Sequence, residues 1–132
     1  MMERFPIRNE ADIGIAIVGA QAHAQNLGFS AAQIHRLGTA VSELASNIVK
    51  YACAAGGEIL IAAADGEEGL SLTVEARDNG PGIAHLDWAL TDHCSSSGSL
   101  GLGLPGVKRI VDGFRILSLP GSGTVVTITL RR

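Results

Sequence analysis

Aromatic residues make up only 4% of this chain, and it holds just two cysteines. A core short of large rings has to be packed from leucine, isoleucine, valine and alanine. Cys53 and Cys94 lie far apart with no CxxC pair, which excludes a disulfide framework and suits a reducing cytosol. The histidines, His23, His35, His85 and His93, are scattered singly and none stands at a zinc-type spacing. The formal net charge is -3, which argues against a protein devoted to a nucleic-acid backbone, because such binding needs a clustered basic surface. A nucleotide site stays open, because local dipoles and a metal ion can hold phosphate on an acidic protein. Long apolar runs are missing as well: the stretch from Ile13 to Ala20 is interrupted by glycine and is too short to span a bilayer. The amino terminus has no apolar h-region. These absences lead to the expectation of a soluble, non-exported, cytoplasmic protein with no membrane and no nucleic-acid partner. With neither an internal repeat nor a linker, residues 1–132 are expected to form a single domain.

What is present divides into helices first and strands later. Residues 2 to 8 suit a short edge strand. Ile13, Ile17, Ala20, Ala24 and Leu27 recur at helical period over Asp12 to Leu27, closed by Gly28. Ser30 suits the N-cap of a second helix, whose apolar face is Ile34, Leu37, Val41, Leu44, Ile48 and Ala52, stopped by Gly56 and Gly57. The period then changes, and Ile59 to Ala64 and Leu70 to Ala76 read as a hairpin around Asp65 to Gly69. A loop from Asp78, a short helical piece around Leu86 to Leu90 and a Gly- and Ser-rich stretch from Asp92 to Gly103 follow. Pro105 opens a further helix over Val107 to Val111. Strands Phe114 to Leu119 and Thr124 to Leu130 finish the chain about a Pro-Gly-Ser-Gly turn. This order predicts an α+β fold, a two-layer sandwich of a mixed or antiparallel sheet covered on one face by helices.

Three polar segments carry chemistry. On the second helix Glu43, Asn47 and Lys50 fall together in a sector separate from the apolar residues. They offer a proton acceptor, an oxygen ligand for a hard cation and a positive charge for phosphate; a solvated stripe with a weak ion pair is the plain alternative. Asp78-Asn79-Gly80-Pro81-Gly82-Ile83 follows a predicted strand directly. It places a carboxylate where an exocyclic amine could donate to it and glycines where a flat ring could approach, although an ordinary tight turn has the same letters. The segment Ser95 to Gly106 contains Gly98, Gly101, Gly103 and Gly106 and then opens a helix, as a phosphate lid would. Its GxGxxG lettering lacks the preceding strand and distant acid of a dinucleotide-binding fold, and no GxxxxGK[ST], HRD or DFG element exists.

Taken together, ELASNIVKYA (Glu43 to Ala52), DNGPGI (Asp78 to Ile83), the loop ending SLGLGLPGVKRI (Ser99 to Ile110) and Gly123-Thr124 resemble, in order and spacing, the four conserved boxes of GHKL ATPases with the Bergerat fold. Within that superfamily the chain is most similar to the small RsbT-type switch serine/threonine kinases, relatives of the anti-sigma-factor kinases, from about Asp12 to Arg132. The resemblance implies ATP and Mg²⁺ as cofactors. It implies that Asp78 binds the adenine amine, that Gly80, Gly82 and Ile83 shape the pocket, and that Thr124 supports the same contact through water. It further implies that Asn47 ligates Mg²⁺ and that Glu43 is the catalytic carboxylate. Gly98, Leu100, Gly101, Leu102 and Gly103 correspond to the lid, and Lys50 and Lys108 are candidate phosphate neighbours by charge and position. Ser46 departs from the pattern, where a larger basic residue is expected, and bears on partner choice more than on the nucleotide site.

The function so implied is transfer of the ATP γ-phosphate to a Ser or Thr of a STAS-domain antagonist protein in a bacterial partner-switching pathway, with a downstream phosphatase or sigma-factor regulator as a further partner. The competing expectation is a non-catalytic module that binds ATP to order its lid and sequesters a sigma factor or antagonist. Retention of both Glu43 and Asn47 favours the enzyme. A histidine kinase is disfavoured by the absence of a phosphoacceptor helix pair.

Overall fold

The computed structural model describes residues 2–52, 56–79, 103–119 and 123–132, with the side chains of residues 51, 52 and 119 outside that description. In chain order the elements are β1 (Met2–Ile7), α1 (Glu10–Asn26), α2 (Ala31–Ala52), β2 (Gly57–Gly66), β3 (Gly69–Asp78), α3 (Gly103–Ile110), β4 (Gly113–Leu119) and β5 (Gly123–Arg131). The strands form one sheet in the order β1-β2-β3-β5-β4, and every neighbouring pair is antiparallel. The expected sheet is thus antiparallel throughout, without a parallel pair among the described residues. The short helical piece expected around Leu86 to Leu90 and the Pro-Gly-Ser-Gly turn lie outside the described residues.

Strand alternation puts one face of the sheet in the core. Ile59 stands opposite Ala76 and Ile61 opposite Val74, while Leu72, Val74 and Ala76 face Leu130, Ile128 and Val126. All eight are buried. Each fully buried aliphatic side chain of this kind contributes about 1.5–3 kcal/mol relative to leaving it in water. Over this face lies α2, whose Leu37, Val41, Leu44 and Ile48 are buried at the helical spacing the sequence shows.

The start of α2 is fixed by a reciprocal cap. Ser30 Oγ accepts from the Gln33 backbone N–H at 3.2 Å, and Gln33 Oε1 accepts from the Ser30 backbone N–H at 3.0 Å, the pattern of a capping box. Gln33 Nε2 also donates to the carbonyl of Arg131 at 2.6 Å, which ties this end of α2 to the end of β5.

Helix α1 begins at Glu10, two residues before the expected start, because Asn9 caps it by accepting from the Ala11 N–H at 3.0 Å. Its buried line is Ala16, Ala20 and Ala24, with Ile13, Ile17 and Leu27 only half-buried. Small side chains occupy the line of closest approach, so the isoleucines flank it.

Asp12, in the first turn of α1, is one of the buried charged residues, and Arg8 accounts for it. The Arg8 backbone N–H donates to Oδ2 at 2.9 Å, Nε to Oδ2 at 3.2 Å and Nη2 to Oδ1 at 3.4 Å. The side-chain bonds from Arg8, followed by its backbone N–H, hold the Asp12 carboxyl below the usual carboxylate range. A carboxyl whose folded pKa is depressed stabilises the fold fully above its unfolded pKa of about 3.9, and that contribution is lost as pH falls through the folded value. Asp12→Asn should therefore lower stability at neutral pH and flatten the acid limb of a stability-against-pH curve below about pH 4. Denaturant titrations of both proteins from pH 7 to pH 3 check this, and parallel acid limbs would contradict it.

Candidate functional site

Three polar or charged side chains are buried among the described residues: Asp12 at 7%, Glu43 at 6% and Thr124 at 7% relative exposure. Asp12 is held by Arg8. The other two are residues the sequence singles out for chemistry, and they sit where the sheet and α2 come together.

On the sheet side, the inward-facing row of β3 runs Leu72, Val74, Ala76 and then Asp78, and that of β5 runs Leu130, Ile128, Val126 and then Thr124. Asp78 and Thr124 are direct cross-strand partners. The apolar face therefore ends in a polar pair. Ser118 of β4 is the partner of Thr124 on its other side, and the two hydroxyl oxygens lie 2.8 Å apart. Ser118 Oγ also donates to the carbonyl of Gly123 at 3.5 Å. Gly57 of β2 completes the row as the partner of Asp78. Aspartate, threonine and serine, on adjacent strands at one end of the sheet, form a hydrogen-bonding patch suited to one edge of a polar aromatic ring.

Two glycines keep this end open. A Cβ on Gly57 would run into the carbonyl oxygen of Arg77 and stand 2.8 Å from Ile48 Cγ2 and 3.1 Å from the Asp78 Cα. Gly57 is thus the joint at which α2 approaches the strand bearing Asp78, and it brings the turn holding Asn47 over this end of the sheet. Gly123 has a φ of +90°, and a Cβ there would collide with the Asp78 carbonyl, so the start of β5 can lie against the end of β3 only without a side chain. Gly57→Ala should cost about 1–3 kcal/mol through overpacking. Thermal melts of the variant check this, and a wild-type melting temperature would contradict the close approach.

On the helix side, Glu43, Asn47 and Lys50 are carried by α2 at successive turns. Glu43 is buried, Asn47 half-buried and Lys50 exposed. Glu43 makes no hydrogen bond or ion pair among the described residues. It lines the end of an open cavity of about 230 Å³ between α1 and α2, whose walls include Ile17, Gln21, Gly38, Thr39 and Ser42. A buried carboxylate with no partner among the described residues, facing open space, is available to an incoming hydroxyl.

The remaining expected residues divide clearly. Gly103 is the first residue of α3, whose first turn, Leu104 to Val107, is buried, and Lys108 is exposed in the turn that follows. Gly80, Gly82, Ile83, Gly98, Leu100, Gly101 and Leu102 lie outside the described residues. Ser118 and Gly57 are not singled out by the sequence for this site. Ser118 could have been found as the one polar residue in the inward row Phe114, Ile116, Ser118; Gly57 reads equally well as a helix stop.

The donor set also bears on a metal ion. No group of three or more His, Cys, Asp or Glu side chains that could hold a metal exists among the described residues. Asn47 is one neutral oxygen donor, which fits an ion that arrives with phosphate oxygens and keeps most of its water, as Mg²⁺ does, and does not fit an all-protein cage. None of the described helices is long and apolar enough to cross a membrane.

Comparison with known proteins agrees with this geometry. Residues 6–130 match the family model of the histidine kinase-like ATPase domain. The chain is 42% identical over 120 residues to the serine/threonine-protein kinase RsbT of Bacillus subtilis (strain 168), covering 91% of this chain and 89% of that one. Among solved structures it is similar to the mycobacterial sensor histidine kinase MprB, with a TM-score of 0.57 at 19% identity over 98% of this chain and 97% of that one. It is also similar to the catalytic domain of histidine kinase ThkA, with a TM-score of 0.56 at 14% identity over 99% and 95%. The last two likenesses concern the fold alone. From the antiparallel sheet under α2, the polar end of that sheet and these matches together, the chain belongs to the histidine kinase-like ATPase domain family, on the branch that includes the RsbT serine/threonine kinases.

Proposed function

We propose that this protein is a serine/threonine protein kinase of a bacterial partner-switching pathway, which transfers the γ-phosphate of ATP to a Ser or Thr hydroxyl of a STAS-domain antagonist protein. The observation that carries this reading is Glu43, 6% exposed and without a hydrogen-bonding partner among the described residues, one helical turn from Asn47. Its place in a chain 42% identical to a serine/threonine-protein kinase supports the same role.

In this reading Asp78 accepts a hydrogen bond from the adenine amine, and Thr124, held by Ser118, supports that contact. The nucleotide then extends under α2 towards Asn47, whose side-chain oxygen would hold Mg²⁺, with Lys50 and Lys108 as further cationic neighbours. Mg²⁺ supplies neutralisation of the charge on the phosphate oxygens. The acceptor hydroxyl oxygen attacks the γ-phosphorus. A new O–P bond forms as the bond to the β–γ bridging oxygen breaks, and ADP leaves with that electron pair. The hydroxyl proton passes to the Glu43 carboxylate, which acts as general base. Little covalent chemistry is asked of the protein, so positioning and electrostatics dominate. Once its antagonist is phosphorylated and released, the kinase is free to engage a downstream phosphatase or sigma-factor regulator.

The test is incubation of the purified chain with Mg²⁺, γ-labelled ATP and a STAS-domain antagonist from the same organism. Label on a Ser or Thr of that protein is the expected result. Tight ATP-dependent binding with no label moved would replace the enzyme by a sequestering module.

A further inference from the structure

We propose that the cavity between α1 and α2 is the docking groove for the acceptor loop of the protein substrate, and that Thr39 and Ser42, with Gln21 across from them, help select that substrate. The inference rests on the kinase reading and extends it from the nucleotide to the acceptor.

Direction along α2 carries the first step. At 5.4 Å per turn, Thr39 stands one turn before Glu43 and Asn47 one turn after it. Beyond Asn47, Ile48 packs at Gly57, the cross-strand partner of Asp78, so the nucleotide end of the site lies towards the carboxyl end of α2. The cavity of about 230 Å³ extends the other way, along Thr39 and His35. Glu43 is the residue common to both. A general base has to touch the acceptor hydroxyl while the phosphate lies on its far side, and the groove is the side left for the acceptor to enter.

Chemistry of the walls carries the second step. Gln21 is held in place, since its Nε2 donates to the Ile34 carbonyl at 3.2 Å and its amide occupies the space a Cβ on Gly38 would need. That leaves its Oε1 as an acceptor. Thr39 Oγ1 donates to the His35 carbonyl at 3.2 Å, so its lone pairs are likewise acceptors. Gln21, Thr39 and the Glu43 carboxylate at the end give the groove hydrogen-bond acceptors and one negative charge, beside the Ser42 hydroxyl and the His35 ring, each of which can donate or accept. Its complement is a donor-rich segment, a loop presenting a Ser or Thr hydroxyl with its flanking backbone N–H groups. The outer face of α1 has a different character: Ile15 and Val18 are exposed and apolar, and they offer no such groups.

The experiment uses the full chain with a non-hydrolysable ATP analogue and measures, by titration calorimetry, the affinity for a STAS-domain antagonist from the same organism. Wild type is compared with Thr39→Arg, Ser42→Arg and Ile15→Arg, the last on the outer face of α1. The two groove variants are expected to weaken partner binding by at least about tenfold while keeping the wild-type affinity for the nucleotide, which also reports that they are folded. Ile15→Arg and the conservative Thr39→Ser are expected to bind as wild type does. Unchanged affinity in both groove variants overturns the proposal, as does a loss confined to Ile15→Arg. Phosphate transfer is assayed on the same proteins: normal binding by wild type without transfer sinks the kinase reading alone, while the groove is still judged by the affinities.

Discussion

Glu43→Gln is expected to lower phosphate transfer by about 10²–10⁴-fold while leaving the affinity for Mg²⁺-ATP at its wild-type value. The amide has nearly the volume of the carboxylate, so the packing around a residue only 6% exposed is preserved. What it lacks is the capacity to take the hydroxyl proton. The substitution breaks no hydrogen bond or ion pair among the described residues, and a change in stability of more than a few tenths of a kcal/mol is not expected. Rate and affinity should therefore separate. A residue whose role was structural would instead change the melting temperature and leave the rate per folded molecule alone. Comparison of single-turnover rates, nucleotide affinities and thermal melts for the two proteins checks the assignment.

Asp78→Asn is expected to do the reverse, weakening ATP binding by about 10–100-fold, the value of one hydrogen bond to a charged group. Asp78 lies at the last position of β3, opposite Thr124 on one side and Gly57 on the other, so its backbone is fixed by both neighbours and the substitution changes chemistry more than position. The adenine amine should be the group that reports it. A purine ligand without the exocyclic amine should bind wild type and variant about equally, since it has no donor to offer the Asp78 carboxylate in the first place. Equal affinity of both proteins for ATP would remove Asp78 from the site.

Legibility of this architecture in the sequence varies with how local the cause is. Helix α2 reads well, because its apolar period and the capping box at Ser30 are both contained in a short window. The hairpin reads too short: β2 and β3 extend to Gly57–Gly66 and Gly69–Asp78, beyond the expected Ile59 to Ala64 and Leu70 to Ala76. The added residues are mainly small or polar, with weak strand preference of their own. Gly57 and Glu58 are held as strand by partners in β1, and Arg77 and Asp78 by partners in β5, while Asp65, Gly66 and Gly69 are held by pairing across the hairpin itself. The buried line of α1 is displaced towards alanine for a similar reason, since closeness to α2 selects small side chains over larger apolar ones.

The site follows the same rule. Glu43 and Asn47 share a helix face and can be placed by spacing alone. Asp78 and Thr124 are separated by 46 residues, and only the register of β3 against β5 makes them neighbours. Family resemblance pairs them in the sequence, and strand geometry supplies the physical reason. Ser118 shows locally only as the polar end of an alternating row, and its pairing with Thr124 comes from strand register; the Gly57 joint depends on a helix packing against two strands, which no local pattern encodes.

The measurement that tests the central claim most directly is the chemical nature of the phosphorylated product. Wild type and Glu43→Gln would be incubated side by side with Mg²⁺ and γ-labelled ATP in a lysate of the source organism, and the labelled protein exposed to acid. The account predicts acid-stable label on a separate protein, recovered as phosphoserine or phosphothreonine and absent with Glu43→Gln. Acid-labile label characteristic of phosphohistidine, or equal labelling by both proteins, would contradict it.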